Sequence, residues 1–161
     1  MIYVEDMSEA TKIIKINMLE KHVVKRKPEI EQECKIAISD LLFDNYFAIP
    51  HNIGPYELNL SIIEIKLLIE IQGENMLKNC NISIPINQFR SLVKDYFMIC
   101  ESYFSALSTK DPYRLEMIDM SRRITHNEGA QMFKKYLEQY AEIDFDTARR
   151  LFTLMCVLQV R

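Results

Sequence analysis

The chain contains no tryptophan, three glycines and five prolines among its 161 residues. So little glycine and proline excludes a collagen-like or low-complexity sequence. Its four cysteines, Cys34, Cys80, Cys100 and Cys156, are widely separated, and none belongs to a C-x-x-C pair or to a Cys/His ligand spacing. A structural zinc site is therefore not expected, and no metal is assigned. Cys34, Cys100 and Cys156 sit in helix-like apolar runs and read as small buried hydrophobes in a reducing compartment. No single sign of charge dominates: 20 basic residues face 23 acidic ones, for a net charge of −3. That balance supplies no general field for a polyanion, so a primarily electrostatic nucleic-acid binder is not expected. The longest apolar stretch, Leu151–Val160, is about half of a membrane span. The N-terminus carries Glu5, Asp6 and Glu9 early and lacks an apolar core, so no signal peptide is expected. These absences point to a cytoplasmic protein without a membrane segment. No G-x-G-x-x-G, P-loop, G-x-S-x-G or H-E-x-x-H motif occurs, and no cofactor is assigned.

What is present is an apolar content of 48% with 27% charged residues. A chain of this length suits one domain that buries roughly two-thirds of its unfolded surface. Residues 1–10 read as a flexible N-terminal tail and residues 11–161 as a single α+β domain. Thr11–Asn17 is short and β-branched and reads as a strand. The basic stretch Lys21–Lys27 lacks aromatics and reads as a solvated loop rather than a base-stacking surface. Pro28 suits a first helical position, with Glu29 and Glu31 favoured in the first turn. Ile30, Cys34, Ala37, Ile38 and Leu41 then recur at helical spacing, and the helix ends near Asn45–Phe47.

Between Tyr56 and Gln72 the period becomes two. Leu58, Leu60 and Ile62 alternate with polar residues, then Ile65, Leu67, Ile69 and Ile71 alternate on the opposite parity. The flip requires a turn or bulge near Ile63–Lys66, hence a hairpin. Gly73–Asn75 supplies a second turn and Asn81–Ile86 a third strand, with Asn59, Ser61, Glu70 and Gln72 facing water. From Phe89 to Leu107 apolar residues cover so much of the circumference that a buried spine helix is expected. Asp111–Pro112 opens the next helix, with Tyr113, Met117, Met120 and Ile124 on one side. Thr125–Glu128 fits a capping box that would open a further helix. Asp144 or Asp146 caps the last one, whose Leu151–Leu158 is again apolar nearly all round. The expectation is an α+β fold, a small antiparallel β-meander of three to four strands against a layer of about five helices.

The densest polar cluster is Arg122, Arg123, His126, Asn127, Glu128 and Gly129. Arg123 follows Asp119 by four residues and reads as its surface partner. Arg122 shares a face with Leu115 and Ile118 and emerges at a core edge. His126 shares the stripe of Ala130, Phe133 and Leu137 and points inward. With a helix N-terminus, this corner can hold a phosphate or carboxylate: Arg122 as charge anchor, His126 as proton carrier, Asn127 as donor, and Gly129 permitting close approach. His126 and Glu128 are the candidate catalytic residues. Arg122, His126, Asn127, Gly129 and Arg149 are the candidate ligand-binding residues. The competing reading is a capped helix joint around a hydrogen-bonded core histidine. Asp95 and Glu101 lie roughly opposite one another on the spine helix and do not form an acid/base pair. Arg149 and Arg150 follow Asp146 closely enough for helix-local pairing, and reach the corner if the last helix packs there.

The segments LVKDYFMICESY (Leu92–Tyr103), IDMSRRITHNEG (Ile118–Gly129) and DFDTARRLFTLMCVL (Asp144–Leu158) are similar to uncharacterised protein family 0262 of alphaproteobacteria. GPYELNLSI at Gly54–Ile62 and PEIEQE at Pro28–Glu33 also fit, so the resemblance runs from about Thr11 to the C-terminus. Ser121, Ala130 and Gln159 stand where the family more usually carries glycine, serine and histidine. The resemblance implies a small bacterial, cytoplasmic protein and carries over no activity, cofactor or residue role. The first functional expectation is an interaction or regulatory module without catalytic activity, acting through a protein partner or as a homo-oligomer. The alternative is a protein that binds an anionic or phosphate ligand, or an enzyme, at the Arg122–Glu128 corner.

Overall fold

A computed structural model describes residues 9–20 and 25–159. In chain order the elements are β1 (Ile13–Met18), α1 (Pro28–Phe43), β2 (Phe47–Ala48), β3 (Tyr56–Ile63), β4 (Lys66–Gln72) and β5 (Cys80–Pro85). A single 3-10 turn at Asn87–Phe89 leads into α2 (Arg90–Leu107), followed by α3 (Pro112–Leu137), β6 (Glu142–Ile143) and α4 (Phe145–Val157). The fold is α+β, with a four-stranded sheet in the order β1-β3-β4-β5 and a two-stranded sheet of β2 and β6.

The β3–β4 hairpin turns at Glu64, whose φ of 58° is the left-handed conformation that a tight two-strand turn demands. The register then stacks like against like. Leu58 pairs with Ile71, Leu60 with Ile69, and Leu67 and Ile69 pair onward with Ile84 and Ile82. All of these residues are buried. On the opposite face Asn59, Ser61, Glu70 and Gln72 are half-buried, Gln72 donating to Glu57 and Asn17 to Asn59.

Two features differ from the antiparallel meander expected. The first strand runs parallel to β3, because α1 carries the chain back across before β3 begins, as a parallel pairing requires. The sheet is therefore mixed. The two-residue strands of the second sheet, Phe47 opposite Ile143 and Ala48 opposite Glu142, are too short to leave a period in the sequence. Asn45 joins these parts. Its side chain accepts from the Ile13 N–H at 2.7 Å and donates to the carbonyls of Ile13 and Leu41, so one buried amide fastens the end of α1 to β1. Nearby, Ala10 accepts the Gly54 N–H at 2.7 Å; most of the segment expected as a tail, and part of the basic loop, lie outside the described residues.

There are four helices among the described residues, not five. Thr125–Glu128 opens nothing: α3 runs unbroken through it, Thr125 is buried, and the true N-cap is Asp111, which accepts from the N–H groups of Tyr113 and Arg114. Nor is α2 the buried spine. Leu92, Val93, Tyr96 and Cys100 are inside, but Met98, Phe104 and Leu107 are exposed. The spine is α4, capped by Asp144 at 3.2 Å from the Thr147 N–H, with every residue from Leu151 to Val157 buried. It packs against α1 and α3, while α2 packs against α3. Phe89 binds the layers together, its ring 6.3 Å from Phe133 and 6.2 Å from Phe152.

Candidate functional site

Where α1, α3 and α4 converge they leave a cleft of about 270 Å³. Glu33, Ala37 and Asp40 line it from α1, Asp119, Arg122, Arg123 and His126 from α3, and Arg149, Arg150 and Thr153 from α4. The first two sets recur every three or four residues, which puts each on one face of its helix. Four arginines thus meet three carboxylates and one histidine.

The pairing is uneven. Arg122 Nη2 lies 2.8 Å from both carboxylate oxygens of Glu33, and its guanidinium also sits 5.9 Å from the Tyr103 ring centre. Arg123 pairs with Asp119 at 3.2 Å, four residues back, and Arg149 with Asp146 at 3.5 Å. Arg150 and Asp40 have no ion pair among the described residues. The Arg122–Glu33 pair is also a wall. On its other side lies an apolar groove of about 330 Å³ between α1 and α2, lined by Ile99, Phe104 and Leu107 and sharing Glu33 and Arg122 with the cleft.

His126 is 8% exposed. Its Nδ1 lies 2.7 Å from the carbonyl oxygen of Arg122, and its ring meets Tyr96 and Phe152 edge-on. Burial pulls its pKa below the ordinary value; the hydrogen bond to the Arg122 carbonyl and the Glu33 charge oppose this, and the charges of Arg122 and Arg149 add to it. The neutral ring must place its hydrogen on Nδ1 to donate to that carbonyl, which leaves Nε2 as an acceptor. Nε2 makes no hydrogen bond among the described residues and is not one of the fully enclosed polar atoms. Beneath it, Cys100 donates to Glu33 at 3.7 Å, with its thiol pushed up to about 12 by burial and by the Glu33 charge. Burial, and then the neighbouring Cys100 and Glu33, also raise the Tyr96 hydroxyl.

Of the residues singled out from sequence, Arg122, His126 and Arg149 come together, as does Arg150. Asn127 is exposed and outside the cleft. Glu128 lines a different groove, with Asp95 and Gln88, between α2 and α3. Gly129 faces Phe152: a Cβ there would lie 2.5 Å from the ring, so its missing side chain serves helix packing and admits no ligand. The helix N-terminus expected at this corner does not exist, which removes its free N–H donors. Glu33 and Asp40 were missed. Their spacing along the wet side of α1 was visible, but nothing local ties residue 33 to residue 122. Among the described residues no group of three or more histidine, cysteine or acidic side chains is placed to hold a metal.

The architecture defines a small α+β protein with a mixed sheet, a buried C-terminal helix and an arginine-lined cleft between three helices. A family model, Uncharacterised protein family (UPF0262), matches residues 10–161, and the chain belongs to that family. It is 45% identical to a UPF0262 protein of Paramagnetospirillum magneticum over 157 residues, 96% of this chain and 99% of the relative. It is 52% identical to one from Ruegeria pomeroyi over 137 residues, covering 81% and 85% of the two chains. It is 47% identical to one from Rhizobium leguminosarum over 145 residues, covering 89% and 92%. These relatives are alphaproteobacterial. No solved structure matches the chain. No helix among the described residues is long and apolar enough to cross a membrane.

Proposed function

We propose that this chain is a binding protein that takes a small anion in the three-helix cleft. Arg122, Arg149 and Arg150 serve as charge anchors and His126 as the proton-accepting partner. His126 carries the reading: a nearly buried neutral imidazole whose Nδ1 is already bonded, on the wall of a cleft ringed by arginines. A ligand that suits both features carries negative charge for the guanidinium groups and a hydrogen on an oxygen for Nε2, as hydrogen phosphate or a hydroxycarboxylate does. Glu128 lines another groove, so His126 lacks the acid/base partner that the sequence offered, and the proposal is binding rather than catalysis. The buried free thiols of Cys34, Cys100 and Cys156 suit a reducing cytoplasm.

Titration calorimetry with inorganic phosphate tests this. The wild-type chain binds at millimolar phosphate, and Arg150→Ala, which removes a cation with no ion-pair partner among the described residues, abolishes the heat. No binding, or binding that Arg150→Ala leaves unchanged, contradicts the reading.

A second reading, a protein-contact module, is supported by a different surface: the exposed apolar stripe Tyr113, Met117, Met120 and Ile124 on α3.

A further inference from the structure

From Pro112 to Ile124 no residue of α3 is buried, whereas from Thr125 onward the helix carries buried residues on every turn. The first half of the helix therefore meets the domain only on its inner face, through half-buried Leu115, Ile118 and Arg122, and leaves its outer face uncovered. Along it Tyr113 is 72% exposed, Met117 51%, Met120 50% and Ile124 58%. These positions are spaced four, three and four apart, the seam spacing of two helices packed side by side. Glu116 and Arg123 flank the seam on one edge, Arg114 and Ser121 on the other, and all four are exposed.

We infer that this stripe is the contact between two copies of the chain, with α3 packed antiparallel to α3 of its partner about a two-fold axis near residues 118–119. One register satisfies every position at once. Tyr113 packs on the partner's Ile124, and Met117 on the partner's Met120. Glu116 meets the partner's Arg123, and the symmetry repeats each contact. The opposite edge sets Arg114 against the partner's Ser121, so no like charges face each other. Arg123 already holds Asp119 within its own helix, and a guanidinium has donors to spare for a second carboxylate. The seam stops at Asn127, where α3 enters the domain, so antiparallel packing sets the two domain bodies at opposite ends of the joint. Arg122 and His126 lie on nearly the opposite face of α3, away from the seam; Arg123, at the rim of the cleft, is the one residue the two surfaces share.

This inference rests on the protein-contact reading and names its occupant; it does not use the anion anchors Arg122, Arg149 and Arg150. Light scattering coupled to size exclusion is run on the wild type and on Met117→Glu, Glu116→Arg and the double variant Glu116→Arg/Arg123→Glu, each checked for native circular dichroism. The wild type runs at twice 19.1 kDa. Met117→Glu runs as a monomer, Glu116→Arg dissociates at a concentration at least ~10-fold higher than the wild type, and the double variant recovers the wild-type value. A wild type that is monomeric at every concentration overturns the second copy as occupant and leaves another protein as the stripe's partner. A dimer indifferent to Met117→Glu overturns the inference and the protein-contact reading of the stripe together. A dimer that is lost in Met117→Glu, but that the double charge swap leaves as weak as Glu116→Arg, overturns the antiparallel register alone.

Discussion

The two halves of α3 differ more than any two elements of the molecule. From Thr125 to Leu137 the helix buries Thr125, His126, Gly129, Ala130, Phe133 and Leu137 against α2 and α4. From Pro112 to Ile124 it buries none, yet it carries Tyr113, Met117, Met120 and Ile124 toward solvent. Both halves have the apolar spacing of an amphipathic helix. Periodicity shows that a face must be covered; it does not say whether the cover is the same chain or another one.

The largest effect that sharpens this contrast is at the contact beneath the C-terminal half. Phe152→Ala empties the space against Gly129, Phe89 and His126 and costs about 3–5 kcal/mol, read by urea unfolding. Gly129→Ala acts on the same contact from the other side. The added methyl gains about 1 kcal/mol of helix propensity. It meets the Phe152 ring at 2.5 Å, and overpacking of about 1–3 kcal/mol makes the net change destabilising. Next comes the cap: Asp111→Ala costs about 1 kcal/mol, and because α3 starts there, Thr125→Ala loses no cap. Smallest are the stripe residues. Met117→Ser or Ile124→Ser changes the unfolding free energy of the monomer by no more than about 0.5 kcal/mol, while shifting the association state.

His126 adds a pH dependence to the buried half. Its folded pKa is depressed by burial below the ordinary 6.5, so the neutral form is the one that folding favours. Its contribution is fully present above 6.5 and is lost as the pH falls through that value toward the folded pKa, because the unfolded chain takes up the proton first. Denaturant midpoints measured across this range fall less in His126→Gln than in the wild type.

Much of this was legible in the letters, and the failures have physical causes. The β3–β4 hairpin could be placed at Ile63–Lys66 because a two-residue period cannot change parity without a turn. The start of α1 at Pro28 followed from local chemistry, which narrowed the last cap to Asp144 or Asp146; the structure uses Asp144. Thr125–Glu128 misled because a capping box is a local pattern, and the same letters fit a helix interior once Thr125 is packed inside. The buried character of α2 was overestimated because apolar count alone does not say what lies opposite Phe104 or Met98. The parallel pairing of β1 depends on where α1 delivers the chain. The cleft was half visible: Arg122, His126 and Arg149 share it, but Glu33, which holds Arg122, comes from 89 residues away. Asn127, Glu128 and Gly129 are neighbours of His126 in sequence and face elsewhere in space.

The most direct test of the division of α3 is amide hydrogen exchange along that helix in the Met117→Glu chain. Amides from Thr125 to Leu137 should exchange only with global unfolding, and those from Leu115 to Ile124 through local opening, with slow exchange returning to the first half in the wild type. Equal protection along the whole helix in the Met117→Glu chain would show that the first half is held by its own domain, and would contradict the account.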